Sequence, residues 1–105
     1  MSSARIVLVS VPQGGKAESL AEGAVEARLA ACASILPSVV SIYRWKGRVH
    51  RDAESLLVIK TTRARVKALE RWIKARHPYE TPEFVVLDAS SGSREYLAWL
   101  EAQTK

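Results

Sequence analysis

The pattern of apolar runs predicts an α+β domain, an antiparallel four-stranded sheet with two covering helices and a further helix at the C-terminus. Three observations carry this. Apolar runs rich in β-branched residues and bounded by turn residues recur at Arg5–Val11, Ser34–Trp45, Arg48–Lys60 and Phe84–Leu87. Helical periodicity fills the interval after the first run and the interval after the third. Only Lys46-Gly47 separates the second run from the third, so these two form a hairpin.

Arg5–Val11 reads as a buried strand, closed by the turn Pro12-Gln13-Gly14-Gly15. Lys16–Ala31 places Ala17, Leu20, Ala21, Ala24, Val25 and Leu29 on one helical face, narrow enough to lie close on a sheet. Gly23 is its weak point, costing about 1 kcal/mol against alanine. In Ser34–Trp45, Pro37 removes a ladder donor and demands an edge or a bulge. The outer half of the hairpin, Tyr43–Asp52, is polar and aromatic and is expected to project beyond the domain body. Thr61 or Thr62 is suited to cap the second helix, whose buried stripe is Val66, Leu69, Trp72 and Ile73. That helix stops before Pro78, because a residue preceding proline is pushed out of the helical region. Ser93 is placed to cap a short last helix carrying Tyr96, Leu97, Trp99 and Leu100. Tyr96 and Trp99 stand at a core-facing spacing, for packing within the domain or between copies.

The order β-α-β-β-α-β is the split βαβ, or ferredoxin-like, arrangement. Right-handed crossovers put the strands in the order 4-1-3-2 with every neighbouring pair antiparallel. At 105 residues, 1–105 is a single domain. Helices cover one sheet face; apolar side chains on the other argue for self-association. Pro12, the Lys46-Gly47 turn and the His77 loop fall at one end of the sheet, Cys32 and Lys60-Thr61 at the other. Within one protomer Cys32 and His77 are therefore too far apart to share a metal ion.

The net charge of +5 is concentrated between residues 63 and 76, where Arg63, Arg65, Lys67, Arg71, Lys74 and Arg76 stand against Glu70 alone. Such a helix faces phosphate or, more commonly, water. No apolar run spans a membrane. The first residues show no signal-peptide organisation. One cysteine makes no internal disulfide, and a reducing cytoplasm is expected.

The most informative run is His77-Pro78-Tyr79-Glu80-Thr81-Pro82-Glu83. Two prolines stiffen a connection that gathers an imidazole, a phenol and two carboxylates. Chemistry concentrated on a stiff loop points to binding, although prolines also simply end helices.

Five blocks in order resemble the CutA family of CutA1-like divalent-cation tolerance proteins. They are Arg28-Leu29-Ala30-Ala31-Cys32, Ser41-Ile42-Tyr43-Arg44-Trp45-Lys46-Gly47, Leu57-Val58-Ile59-Lys60-Thr61, the His77–Glu83 run, and Glu95-Tyr96-Leu97-Ala98-Trp99-Leu100. The resemblance implies a homotrimer of ferredoxin-like subunits joined through the hairpin and the C-terminal segment. It implies tolerance to divalent metals, copper especially, without an enzymatic activity. It also suggests an alternative: small-molecule signalling, as in PII-type trimers, with the ligand in an inter-subunit cleft. Some members resemble a copper site built from a cysteine in strand 1 and two consecutive histidines. Here those positions are Val9, Arg76 and His77, and only His77 can ligate. Glu80 and Glu83 are candidate oxygen donors beside it. Cys32 is a candidate thiolate for Cu(I) or Zn(II) or a small buried hydrophobe. Tyr43, Trp45, Lys60, Thr61 and Tyr79 are the candidate cleft residues; Tyr43 and Trp45 fit packing of the hairpin on a neighbouring subunit better still, and Lys60 fits an interface ion pair equally well. His50 is expected in solvent. No cofactor is required, and neither nucleic acid nor membrane is an expected partner. The RNA-binding variant of this topology displays aromatics on its central strands, where this chain has Ile6-Val7-Leu8-Val9 and Leu56-Leu57-Val58-Ile59. An acylphosphatase-like enzyme needs an asparagine, and the chain has none.

Overall fold

A computed structural model describes residues 2–105. The elements are β1 (Ala4–Pro12), α1 (Gly15–Glu26), β2 (Cys32–Trp45), β3 (Arg48–Thr62), α2 (Val66–Lys74), β4 (Val85–Asp88) and α3 (Arg94–Gln103), with a single 3-10 turn at Arg63–Arg65. The sheet order is β2-β3-β1-β4, which is 4-1-3-2 counted from the opposite edge. All three pairings are antiparallel.

Strand alternation divides the sheet into two faces. Val7, Val9 and Val11 of β1 and Leu57 and Ile59 of β3 point toward the helices and are fully buried. They pack with Ala17, Leu20 and Ala24 of α1 and Leu69 and Ile73 of α2. Burying one such branched side chain contributes about 1.5–3 kcal/mol. The opposite face carries Ile6 and Leu8 of β1, with Leu8 opposite Val58 and Leu56 opposite Ser10, continued by Val85 and Leu87 on β4. Val85, Leu87 and Leu36 remain exposed. The end of this face near Ala4 is covered by α3, where Leu100 packs with Ala4 and Ala31.

Several boundaries differ from the sequence expectation. Helix α1 ends at Glu26 rather than Ala31, because Arg28 turns into the left-handed region (φ 59°). Leu29 and Ala30 still pack on the core, so the apolar period runs on after the helix has stopped. The turn delivers Ala31, whose N–H donates to the Lys60 carbonyl at 2.8 Å, and β2 starts at Cys32. Neither Thr61 nor Thr62 caps α2: a 3-10 turn intervenes, and neither that turn nor α2 has a side-chain cap. Strand β4 begins at Val85, and Phe84 instead packs against the core. Tyr96 and Trp99 do not face the domain core. Both are exposed, and Leu97 and Leu100 make the contact instead. The irregularity expected from Pro37 lies between Leu36 and Val39. Strand β1 ends opposite Glu54, so the hairpin beyond it has no third strand and projects from the body.

Candidate functional site

Pro78 and Pro82 carry the chain from the end of α2 across the sheet end to β4, and His77 fixes this crossing. Its Nε2 donates to the Ser10 carbonyl (2.8 Å), and its Nδ1 accepts from the Tyr79 N–H (3.1 Å). The ring is 8% exposed. Both nitrogens are engaged, so no lone pair is free for a metal while the loop holds this form. A metal-ligand role for His77 would require it to give up one of these two bonds. The imidazole is a fastener, and the tautomer follows from its two partners.

The fastener positions Tyr79. Its ring lies against His77 at 4.8 Å, and its hydroxyl donates to Glu54 Oε2 at 2.5 Å. Burial, then the bond to Glu54, raises the Tyr79 phenol pKa well above its ordinary value. Tyr43 donates in the same way to Asp52, and that bond is the first cause of its own raised pKa. The two phenols are therefore held protonated against two carboxylates.

Between the hairpin and the 78–83 loop lies a groove of about 750 Å3, walled by Tyr43, Trp45 and Tyr79 and reached by Ser10, Glu54, Glu80 and Glu83. Sequence reasoning singled out Tyr43, Trp45 and Tyr79 for an inter-subunit cleft and Glu80 and Glu83 for a metal, and the structure brings these five side chains to one groove of a single protomer. That reasoning missed Glu54, Asp52 and Ser10. Glu54 did leave a signal, since it continues the alternation of Leu56 and Val58 on the open face where an apolar residue is expected. Its pairing with the Tyr79 phenol, from another element, left none.

The remaining candidates lie elsewhere in the protomer. Cys32 and Lys60 share one register row with Ile6, four positions along β1 from Ser10, roughly 13 Å. Cys32 Sγ is 3.6 Å from the Tyr96 hydroxyl. Thr61 is fully buried and donates to the Leu29 carbonyl at 2.7 Å. Its hydroxyl secures the turn after α1. His50 stacks on Tyr43 at 5.4 Å. At the positions matching other members' metal ligands, Val9 is core, and Arg76 lies over the Trp72 ring at 4.2 Å while donating to the Trp72 carbonyl. Glu83 Oε1 reaches the Ser10 hydroxyl only loosely, at 3.5 Å. Among the described residues no three His, Cys, Asp or Glu side chains converge to hold a metal ion. A closed metal site does not fit the donors one protomer offers. No helix is long and apolar enough to cross a membrane.

The family model described as CutA1 divalent ion tolerance protein matches residues 5–103. The divalent-cation tolerance protein CutA of Thermus thermophilus is 48% identical over 99 residues, covering 94% of this chain and 96% of that protein. A solved structure of the Thermus thermophilus divalent cation tolerance protein superposes with a TM-score of 0.94 at 46% identity, covering 97% of this chain and 99% of the other. A structure described as the PII-like protein CutA from Nostoc sp. PCC 7120 gives 0.90 at 35% identity, covering 96% and 97%.

Proposed function

From the premise that the chain belongs to the CutA1 divalent ion tolerance family, we propose that it is a non-enzymatic, homotrimeric tolerance protein of the cytoplasm that acts by binding a small molecule in the groove. The observation that carries this reading is the preformed groove itself, with three aromatic side chains on its walls and a loop fastened by His77 on one side. Its volume falls in the range usual for small-molecule sites. The name PII-like, given to the Nostoc protein, supports a signalling role. Occupancy of the groove is then read by a partner through the projecting hairpin and the loop. An unpartnered apolar sheet face supports the trimer, with the hairpin and α3 contributing to it.

A thermal-shift screen of small acids, nucleotides and amines against the purified protein tests the reading. A ligand held at 100 times its Kd raises stability by about 2.7 kcal/mol. The shift is expected to disappear in Trp45→Ala. A panel without any Trp45-dependent shift overturns it.

A second reading keeps the divalent cation of the family name on the protein itself, with copper held weakly through His77, Glu80 and Glu83. It requires His77 to release Ser10 or Tyr79. Copper titration of wild type against His77→Ala separates the two readings: equal affinity removes His77 from the account.

A further inference from the structure

We infer that the ligand of this groove is a small organic cation, an ammonium or guanidinium on an apolar body. This deepens the small-molecule reading and rests on it.

Charge is the first argument. Glu54, Glu80 and Glu83 line the groove, and among the described residues of the protomer no lysine, arginine or histidine does, in a chain whose net charge is +5. Glu54 is the unusual member. It is 5% exposed, and its Oε2 takes the Tyr79 hydroxyl. Its Oε1 receives no hydrogen bond or ion pair among the described residues. No fully buried side-chain oxygen lacks a partner among the described residues, so this free Oε1 is the edge of Glu54 that opens to the groove, where a cation would pair with it at little desolvation cost to the carboxylate. The groove is the path by which a cation reaches it.

The walls are the second argument. Tyr43, Trp45 and Tyr79 remain partly exposed in the groove, and aromatic faces attract ammonium and guanidinium groups. The Trp45 ring already has Lys46 Nζ at 5.7 Å from its centroid, an internal instance of the same pairing. The two phenols spend their protons on Asp52 and Glu54, so neither offers a donor to an anion. A bare metal ion suits the site poorly, because its carboxylates do not converge with a third metal-binding side chain. Ile42, Pro78 and Pro82 complete an apolar lining for the body of the ligand.

The test uses the full chain and three probes of one shape: benzylammonium, neutral benzyl alcohol and anionic benzoate, each titrated calorimetrically at millimolar concentrations. Benzylammonium is expected to bind about tenfold or more tightly than benzyl alcohol, the size of one charge-assisted hydrogen bond, and benzoate not at all. Glu54→Gln is expected to remove that preference while leaving benzyl alcohol unchanged. Should Glu54→Gln unfold, Glu80→Gln/Glu83→Gln on the exposed loop is expected to weaken benzylammonium at unchanged Tm. Trp45→Ala is expected to weaken benzylammonium and benzyl alcohol alike. If benzyl alcohol or benzoate binds as well as benzylammonium and loses affinity in Trp45→Ala, the groove is a ligand site of another charge preference. The inference then falls while the small-molecule reading stands. Cation binding indifferent to all these variants, or no cation binding, overturns the inference whatever the thermal-shift panel shows.

Discussion

His77 illustrates how a side chain's role is set by what its lone pairs touch. As a residue type it is the metal ligand of first choice, yet both its nitrogens close bonds to Ser10 and Tyr79. His77→Ala leaves the Ser10 carbonyl and the Tyr79 N–H without these partners. It is expected to cost about 2–4 kcal/mol in denaturant unfolding and to weaken any groove ligand through a loosened loop. Tyr79 gives a prediction in pH. Its folded pKa lies above its unfolded value near 10, so the unfolded chain gives up this proton first. The stability it contributes is therefore complete below about pH 10 and is lost as pH rises beyond it. Tyr79→Phe should be less stable than wild type at pH 8, with the difference narrowing in alkaline unfolding curves. The loop's chemistry was legible in the run from His77 to Glu83. The partners Ser10 and Glu54 were not, because the contact between loop and strand joins residues 67 and 25 positions apart, and no local pattern encodes it.

Helix α1 carries a glycine where propensity asks for alanine, and the contact across the helix layer explains it. A Cβ on Gly23 would meet the Trp72 ring at 2.6 and 2.7 Å. The ring is flanked on another side by Arg76. Gly23→Ala is therefore expected to destabilise by about 1–3 kcal/mol despite its better helix propensity. In a Trp72→Ala background the same change should instead stabilise, by up to about 1 kcal/mol. A double-mutant cycle by chemical denaturation reads both signs. Helix α3 has the cap its sequence announces: the Ser93 hydroxyl accepts from the Tyr96 N–H. Ser93→Ala should cost about 1 kcal/mol. The backbone and then Ser93 hold the Glu95 pKa below its ordinary value. Its contribution is thus present above the unfolded pKa and fades as pH falls through the folded one. The Ser93 cap and the proline stop after α2 are local and were legible; the cap expected from Thr61 or Thr62 was not, because a 3-10 turn intervenes. The early end of α1 was not, because Leu29 and Ala30 bury themselves after the helix as they would within it.

At the scale of the molecule the outstanding feature is an apolar sheet face that the protomer covers only in part. Val85, Leu87 and Leu36 are exposed, as are Tyr96 and Trp99 on α3. Exposed apolar surface of this extent marks an association site. A single Val58→Glu change in the middle of that face, opposite Leu8, is expected to convert the oligomer to monomer in sedimentation equilibrium and to lower Tm. A wild-type protein sedimenting as one chain in dilute solution would falsify the trimeric reading. By itself the sequence determined the number, kind and order of the elements. It also fixed the handed crossovers that put the strands in their order, because periodicity, prolines and turn residues act over a few positions. The tertiary structure decided which polar atoms are spent and which are left over: His77 and Thr61 are consumed internally, while Glu54 keeps an oxygen toward the groove. Hydrogen bonds are settled by distances between segments remote in the chain, and those distances exist only once the sheet has paired.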